Sequence, residues 1–210
     1  MRGRPARPAS PTTTPTPAIH PVPSVQTSVL DRRRALVDLG CGRRPVAGAF
    51  GVDRVPLPGV DVVARLDGPH LPFTTGGLDG AFALNVLEHL DDLRAAMAEI
   101  HRVLRPGGRC TIEVPYFASV SAAADPTHRR WFTYTTFEHF AAPARGGWQA
   151  NCHTWFSQAQ FAITRRRLVF GRLHRAVGLS RLANRFPAVY ENLFVYWLPA
   201  RALVVELLKR

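Results

Sequence analysis

The sequence predicts an α/β domain with a doubly wound, mostly parallel sheet, and three features predict it. Short β-prone runs alternate with segments of helical period, the pattern of βαβ units. The first run, Ala35 to Leu39, passes straight into a glycine turn, Gly40-Cys41-Gly42. A chain of 210 residues with 46% hydrophobic content supports one well-buried core and is too short for two domains of ordinary size. The domain is expected over 29–210. Ahead of it, 1–28 is rich in Pro, Thr, Ser and Arg and holds too few large apolar residues to offset the entropy of ordering, so a disordered tail is expected there.

After Ala35 to Leu39, Phe50 to Asp53 reads as the second strand, Val60 to Ala64 as the third, Gly80 to Asn85 as the fourth and Arg109 to Val114 as the fifth. Between the fourth and fifth, Leu93, Met97, Ile100 and Leu104 recur at helical spacing, with Asp91 and Asp92 available to cap the first turn and Pro106-Gly107-Gly108 to stop the helix. Ala162 to Phe170 and Ala202 to Leu208 each fit a strand, the second fitting a helix equally well. The stretch from Gly42 to Asp53 is short for a crossover helix, and Pro45 and Gly48 argue against one. No internal repeat is present.

The formal charge of +12 invites nucleic acid or an anionic membrane as partner, yet Lys209 is the only lysine. So strong an arginine bias reads as genome composition. The basic stretch Arg165 to Arg185 is therefore read as a solvated face, with peripheral membrane contact left open, and nucleic acid is not expected because stacking aromatics and phosphate loops are missing. Leu193 to Leu208 is interrupted by Pro199, Arg201 and Glu206 and falls short of a bilayer span. Residues 1–28 lack a secretory core and only superficially look like a transit peptide. The cysteines Cys41, Cys110 and Cys152 are odd in number and lack zinc-site spacing, so a cytoplasmic protein without disulfides or metal is expected.

The chemistry concentrates in VDLGCG, Val37 to Gly42. Gly40 and Gly42 can take positive φ and present no Cβ, so the turn can pass beneath a bulky cofactor; Asp38 can order the turn or reach a cationic amino group. A purely structural turn after a strand has the same sequence. Asp53, closing the second strand, stands where an acid accepts hydrogen bonds from both ribose hydroxyls of an adenosine, or else caps the turn before Pro56.

With these residues the chain resembles the class I methyltransferases, in particular the small bacterial group with a DxGCG loop and an LEHL segment. VDLGCG matches their cofactor loop, GVD at Gly51 to Asp53 their ribose-binding strand end, NVLEHL at Asn85 to Leu90 the segment after the fourth strand, and LRPGG at Leu104 to Gly108 the turn before the fifth. Four motifs in order are far more specific than any one. The resemblance implies a Rossmann-like sheet with helices on both faces and an antiparallel last strand, binding S-adenosyl-L-methionine across the carboxyl ends of the first strands. It places Asp38, Gly40, Cys41 and Gly42 at the methionine part, Asp53 at the ribose, and Asn85, Val86 and Leu87 beneath the cofactor near the methyl. One departure stands out: where the family has an acid for the adenine amino group this chain has Arg65, so Asp67 or a backbone carbonyl is expected to serve.

Methyl transfer needs nucleophile, methyl and sulfur in line, and a base where the acceptor is a hydroxyl. His128, in the segment Ala124 to Phe140, and His89, with Glu88 after the fourth strand, are the candidate acid/base groups. Either histidine has a plain structural alternative, tying a loop or contacting a helix cap. Trp131, Phe132, Tyr134 and Phe137 read as an acceptor pocket or lid, or as ordinary core. The expected function is methyl transfer to an oxygen or nitrogen of a small-molecule acceptor. Two other readings stand beside it: an RNA methyltransferase, and a non-catalytic binding or regulatory protein on the same scaffold.

Overall fold

The computed structural model describes residues 35–142, 157 and 159–210; the expected tail at 1–28 and Cys152 lie outside them. Seven strands form one sheet: β1 (Leu36–Leu39), β2 (Phe50–Asp53), β3 (Val62–Val63), β4 (Leu78–Leu84), β5 (Leu104–Pro115), β6 (Phe161–Val169) and β7 (Ala202–Lys209). Their order is β3-β2-β1-β4-β5-β7-β6. The first five run parallel, and β7 lies antiparallel between β5 and β6. Ala202 to Leu208 is thus a strand and not a helix. Because β1, β2 and β4 run the same way, the turns after Leu39, Asp53 and Leu84 gather at one edge of the sheet.

Three boundaries differ from expectation, each for a local reason. β3 keeps only two residues, because the Asp61 carboxylate takes the Gly51 N–H at 2.8 Å where a strand backbone would have. Helix α1 (Leu93–Val103) ends before Leu104, which already pairs with Leu78 as the first residue of β5. The next pair along β4 is Gly80 with Arg109, so Arg105 to Gly108 form an irregularity inside the strand in place of a stop after the helix. No helix occupies 40–49, as Pro45 and Gly48 suggested.

Of the two acids ahead of α1, Asp92 is the cap, its carboxylate accepting the Ala95 N–H at 3.0 Å. The helix buries Leu93, Ala96, Met97, Ile100 and Val103. They join Val37, Leu39, Ala81, Ala83, Cys110 and Ile112, which alternate along β1, β4 and β5 to form one packed face of the sheet. The opposite face, carrying the register mates Phe82, Thr111 and Glu206, is half-exposed among the described residues.

Four further α-helices follow among the described residues: α2 (Val120–Ala124), α3 (Arg172–Ala176), α4 (Leu179–Arg185) and α5 (Pro187–Val189). Asn184 on α4 turns its side-chain amide to the edge strand β6, accepting from Leu168 N at 2.7 Å and donating to Leu168 O at 2.9 Å. No helix among the described residues is long and apolar enough to cross a membrane.

A buried charge fixes the loop before β4. Glu99 is 8% exposed and accepts from Arg102 at 2.7 and 2.8 Å and from Leu71 N at 2.7 Å. Arg102 also donates to Phe73 O at 3.0 Å and Leu71 O at 3.1 Å. Burial pushes the Glu99 carboxyl up, but the bonds from Arg102, Leu71 and His70 outweigh it and hold it below its ordinary value. Arg102→Ala leaves that carboxylate buried with its main partner gone, and is expected to lower unfolding stability by about 2–4 kcal/mol in urea titration.

Candidate active site

Gly40 and Gly42 sit at φ +72° and +56°. At Gly40 a Cβ would lie 2.2 Å from Val86 Cγ2, so only glycine lets the β1 turn rest on the segment after β4. The Gly40 N–H donates to Val52 O at 2.7 Å, and the Gly42 N–H to Asp53 Oδ2 at 2.9 Å. The other Asp53 oxygen accepts from Val55 N at 3.0 Å. Each oxygen keeps a further lone pair for a ligand hydroxyl. Asp38 is buried and accepts from Val46 N at 2.9 Å, so it orders the glycine turn from beneath; burial pushes its carboxyl up, partly offset by the Val46 bond.

These turns open on a cleft of about 520 Å³, within the range of small-molecule sites. Of the expected cofactor residues, Gly40, Asp53, Asp67, Asn85 and Val86 line it, and so does His89. Cys41, a free thiol, and Gly42 belong to the turn without lining the cleft, and Leu87 is fully buried in the core. Arg65 is tied to Asp67 at 3.2 Å, and both line the cleft at the place expected to meet adenine. Asn85 is the one non-glycine residue at positive φ among those described, at +52°. Asparagine tolerates that conformation better than most residues, and the Asn85 N–H is held by Glu113 O at 2.7 Å.

Beside the cleft is a shallow groove lined by Glu88, Ser121, Asp125 and His128, and sharing Asn85, His89 and Pro126 with it. Glu88 and His89 lie in a 3₁₀ turn, Leu87–His89. Asp125 to His128 come from the loop after α2, which folds back so that the Arg129 N–H donates to Glu88 O at 2.8 Å. The side chains of Arg129 and Asp91 pair across the same junction. The His89 and His128 rings meet edge to face at 4.7 Å. His128 Nε2 is 3.9 Å from both Glu88 Oε1 and Asp125 Oδ2, while its Nδ1 faces Ala122 O at 3.1 Å. His89 Nδ1 lies 2.9 Å from Thr127 Oγ1. Burial, then His128, lowers the His89 pKa.

Glu88, which the sequence offered beside His89 as an acid/base candidate, is set apart by its burial. It is 1% exposed, and neither carboxylate oxygen has a hydrogen-bond partner among the described residues. Burial pushes its carboxyl up to about 7; its own backbone N–H and His128 oppose the rise, while Asp125 and Glu113 add to it. One oxygen of Glu88 and one nitrogen each of His89 and His128 lie within 4.8 Å of one another, a set able to hold a metal ion. Because the folded carboxyl titrates above its ordinary 4.5, its contribution to stability is full below that value and is lost as pH rises to about 7. Glu88→Gln is therefore expected to raise stability at pH ~8 by about 1–3 kcal/mol in metal-free buffer, with little change at pH ~4, as read by thermal or urea melts at both pH values.

Of the two readings of the aromatics, pocket or lid and ordinary core, the second holds for Phe132 and Phe137. Phe132 and Phe137 stack at 5.5 Å in the core, Tyr134 lies under the Arg166 guanidinium at 4.4 Å, and Trp131 is exposed. Cys110 is wholly buried, which pushes its thiol up to about 12 and makes it inert.

Residues 37–112 match the family model described as a methyltransferase domain. An O-methyltransferase of Pyrenophora dematioidea is 32% identical over 100 residues, covering 37% of this chain and 38% of that protein. An O-methyltransferase of Penicillium expansum is 48% identical over 100 residues, covering 37% of this chain and 36% of that one. The matches thus span well under half the length of these relatives. A S-adenosylmethionine-dependent methyltransferase structure from Archaeoglobus fulgidus superposes with a TM-score of 0.57 at 16% identity, over 87% of this chain and 92% of that one.

Proposed function

We propose that this chain, which has the class I methyltransferase fold and a methyltransferase domain at 37–112, transfers the methyl group of S-adenosylmethionine to an oxygen of a small-molecule acceptor. The observation that carries this reading is the junction of two spaces. A cleft with an adenosine-suited acid at Asp53 adjoins a groove holding acid/base groups, and they meet at Asn85, His89 and Pro126. The cofactor supplies an electrophilic methyl on a sulfonium. The chain's residues hold and align: Asp53 takes the ribose hydroxyls, Asp67 or a neighbouring carbonyl the adenine edge, and the Gly40 turn gives close backbone approach. In the groove, the Glu88–His89–His128 cluster promotes loss of the acceptor's proton as the new O–C bond forms.

Oxygen is favoured over nitrogen because the matched relatives are named O-methyltransferases and because a hydroxyl needs the deprotonation this cluster offers. RNA is not favoured: two of the three arginines that line the cleft, Arg65 and Arg129, are paired with carboxylates. The test is transfer of an isotopically labelled methyl from S-adenosylmethionine to a panel of phenols, carboxylic acids and amines, followed by mass spectrometry. A labelled ether or ester is expected. Label on amines alone would overturn the oxygen assignment, and no transfer by folded, cofactor-binding protein would leave the non-catalytic scaffold.

A further inference from the structure

The geometry points to a divalent-cation site at Glu88, His89 and His128, in the wall between cleft and groove. The sequence offered no metal motif, since two ligands are adjacent in the chain and the third comes from another loop. Three observations carry it. Two imidazoles and a carboxylate bring one donor each within 4.8 Å. Glu88 places two oxygens in the interior with no hydrogen-bond partner among the described residues, which is costly for a carboxylate unless something positive faces it closely. The histidines' other nitrogens are already engaged. Ala122 O takes the His128 Nδ1–H, leaving the Nε2 lone pair toward Glu88. Thr127 gives its only hydroxyl hydrogen to Asp125 at 2.6 Å, so it accepts from His89 Nδ1–H and leaves that Nε2 as the basic nitrogen. Such outer hydrogen bonds are what orient ligand imidazoles.

Donors around a first-row cation bound at about 2.0–2.2 Å lie within roughly 4.4 Å of one another. The 3.9 Å between His128 and Glu88 fits, and a small rotation of the Glu88 or His89 side chain closes the rest. Asp125 Oδ2, also 3.9 Å from His128 Nε2, flanks the set without belonging to it. Two nitrogens with one carboxylate suit zinc, cobalt, manganese or iron better than calcium or magnesium.

The role of the cation, though not its binding, rests on the methyl-transfer reading. Its open positions face the groove and take the oxygen of an acceptor hydroxyl, lowering that group's pKa. The proton leaves to solvent, the O–C bond forms, and the S–C bond breaks with its electron pair retained on sulfur. An acceptor with a second oxygen close by, such as an ortho-dihydroxy or hydroxy-carbonyl compound, would chelate the ion and is the substrate class this site selects.

The test is titration of chelator-stripped, tag-free full-length protein with Co²⁺ alone, read by calorimetry and by visible d–d absorption. One equivalent with nitrogen and oxygen ligation is expected. His128→Ala and Glu88→Gln should each weaken it by about 100-fold or more, and His174→Ala, at a histidine outside the cluster, should leave it unchanged. No specific absorption, or equal affinity in His128→Ala, would overturn the site. S-adenosylmethionine binding measured on the same samples separates the two readings. Cofactor bound without cobalt removes the metal site alone; cobalt bound without cofactor removes the methyl-transfer reading and keeps the site.

A different part of the molecule carries a second inference. Between 172 and 197 Leu173, Val177, Leu182, Leu193, Tyr196 and Trp197 are each at least 60% exposed, the last two above 80% or at it. Arg172, Arg175, Arg181 and Arg185 lie among them, and none pairs with a carboxylate among the described residues. Glu191, the one acid of the segment, is turned inward to Tyr116 Oη at 2.6 Å and Tyr134 N at 2.8 Å. We infer that this surface rests on an anionic lipid membrane, with tyrosine and tryptophan at headgroup depth and the arginines on lipid phosphate. A second copy is disfavoured, since pairing the two faces sets cations against cations. Full-length protein should sediment with phosphatidylglycerol-containing vesicles and not with pure phosphatidylcholine, and less so as salt rises or in Trp197→Ala. Failure to sediment, a dimer that Trp197→Ala dissociates, or retention on RNA in place of vesicles would each overturn it.

Discussion

Asp53→Ala is expected to weaken S-adenosylmethionine and S-adenosylhomocysteine binding by about 100-fold in calorimetric titration. Asp53 stands at the end of β2 with one oxygen on the Gly42 N–H and the other on the Val55 N–H. It braces the glycine turn and, on the proposed reading, also accepts from the ribose. Alanine would then remove two charge-assisted bonds to the ribose and let the turn loosen; Asp53→Asn, which keeps one acceptor oxygen, should recover part of the affinity. Both ligands should suffer equally, because the ribose is common to them. Unchanged affinity in a folded Asp53→Ala protein would take this residue out of the cofactor site.

His128→Ala should leave cofactor affinity within about twofold and lower kcat by about 10²- to 10⁴-fold. The asymmetry follows from position: His128 lines the groove and not the cleft. A residue that merely ties Ala122 to the loop would, on removal, loosen α2 and cost stability without selectively lowering kcat. Single-turnover kinetics with saturating cofactor make the comparison. Equal loss of cofactor binding and rate would reassign His128 to the framework.

The cleft side of the candidate site was legible because a parallel sheet brings successive strand ends to one edge. Once VDLGCG and GVD are read as neighbouring strand ends, the contact from Gly42 to Asp53 follows. The groove was not legible in this way. Glu88 could be named as an acid/base candidate from its place after the fourth strand, but its burial could not, since that comes with the loop after α2, nearly forty positions on, closing over the Leu87–His89 turn. Phe132 and Phe137 carry no mark in the chain that separates a pocket wall from a core stack. The end of α1 was placed late because Pro106-Gly107-Gly108 serves two purposes, and here it accommodates an irregular strand. Local patterns specify strands and their order; contacts between loops distant in sequence depend on packing that no short window contains.

The amide of Asn184 imitates a passing strand. By satisfying both backbone groups of Leu168 from the side, it occupies the stretch of β6 where another polypeptide would begin to add. At the opposite margin β3 offers only two residues, too short a template to nucleate pairing. Among the described residues each border of the sheet is thus shortened as a template, which leaves less edge for a strand of another molecule to add along.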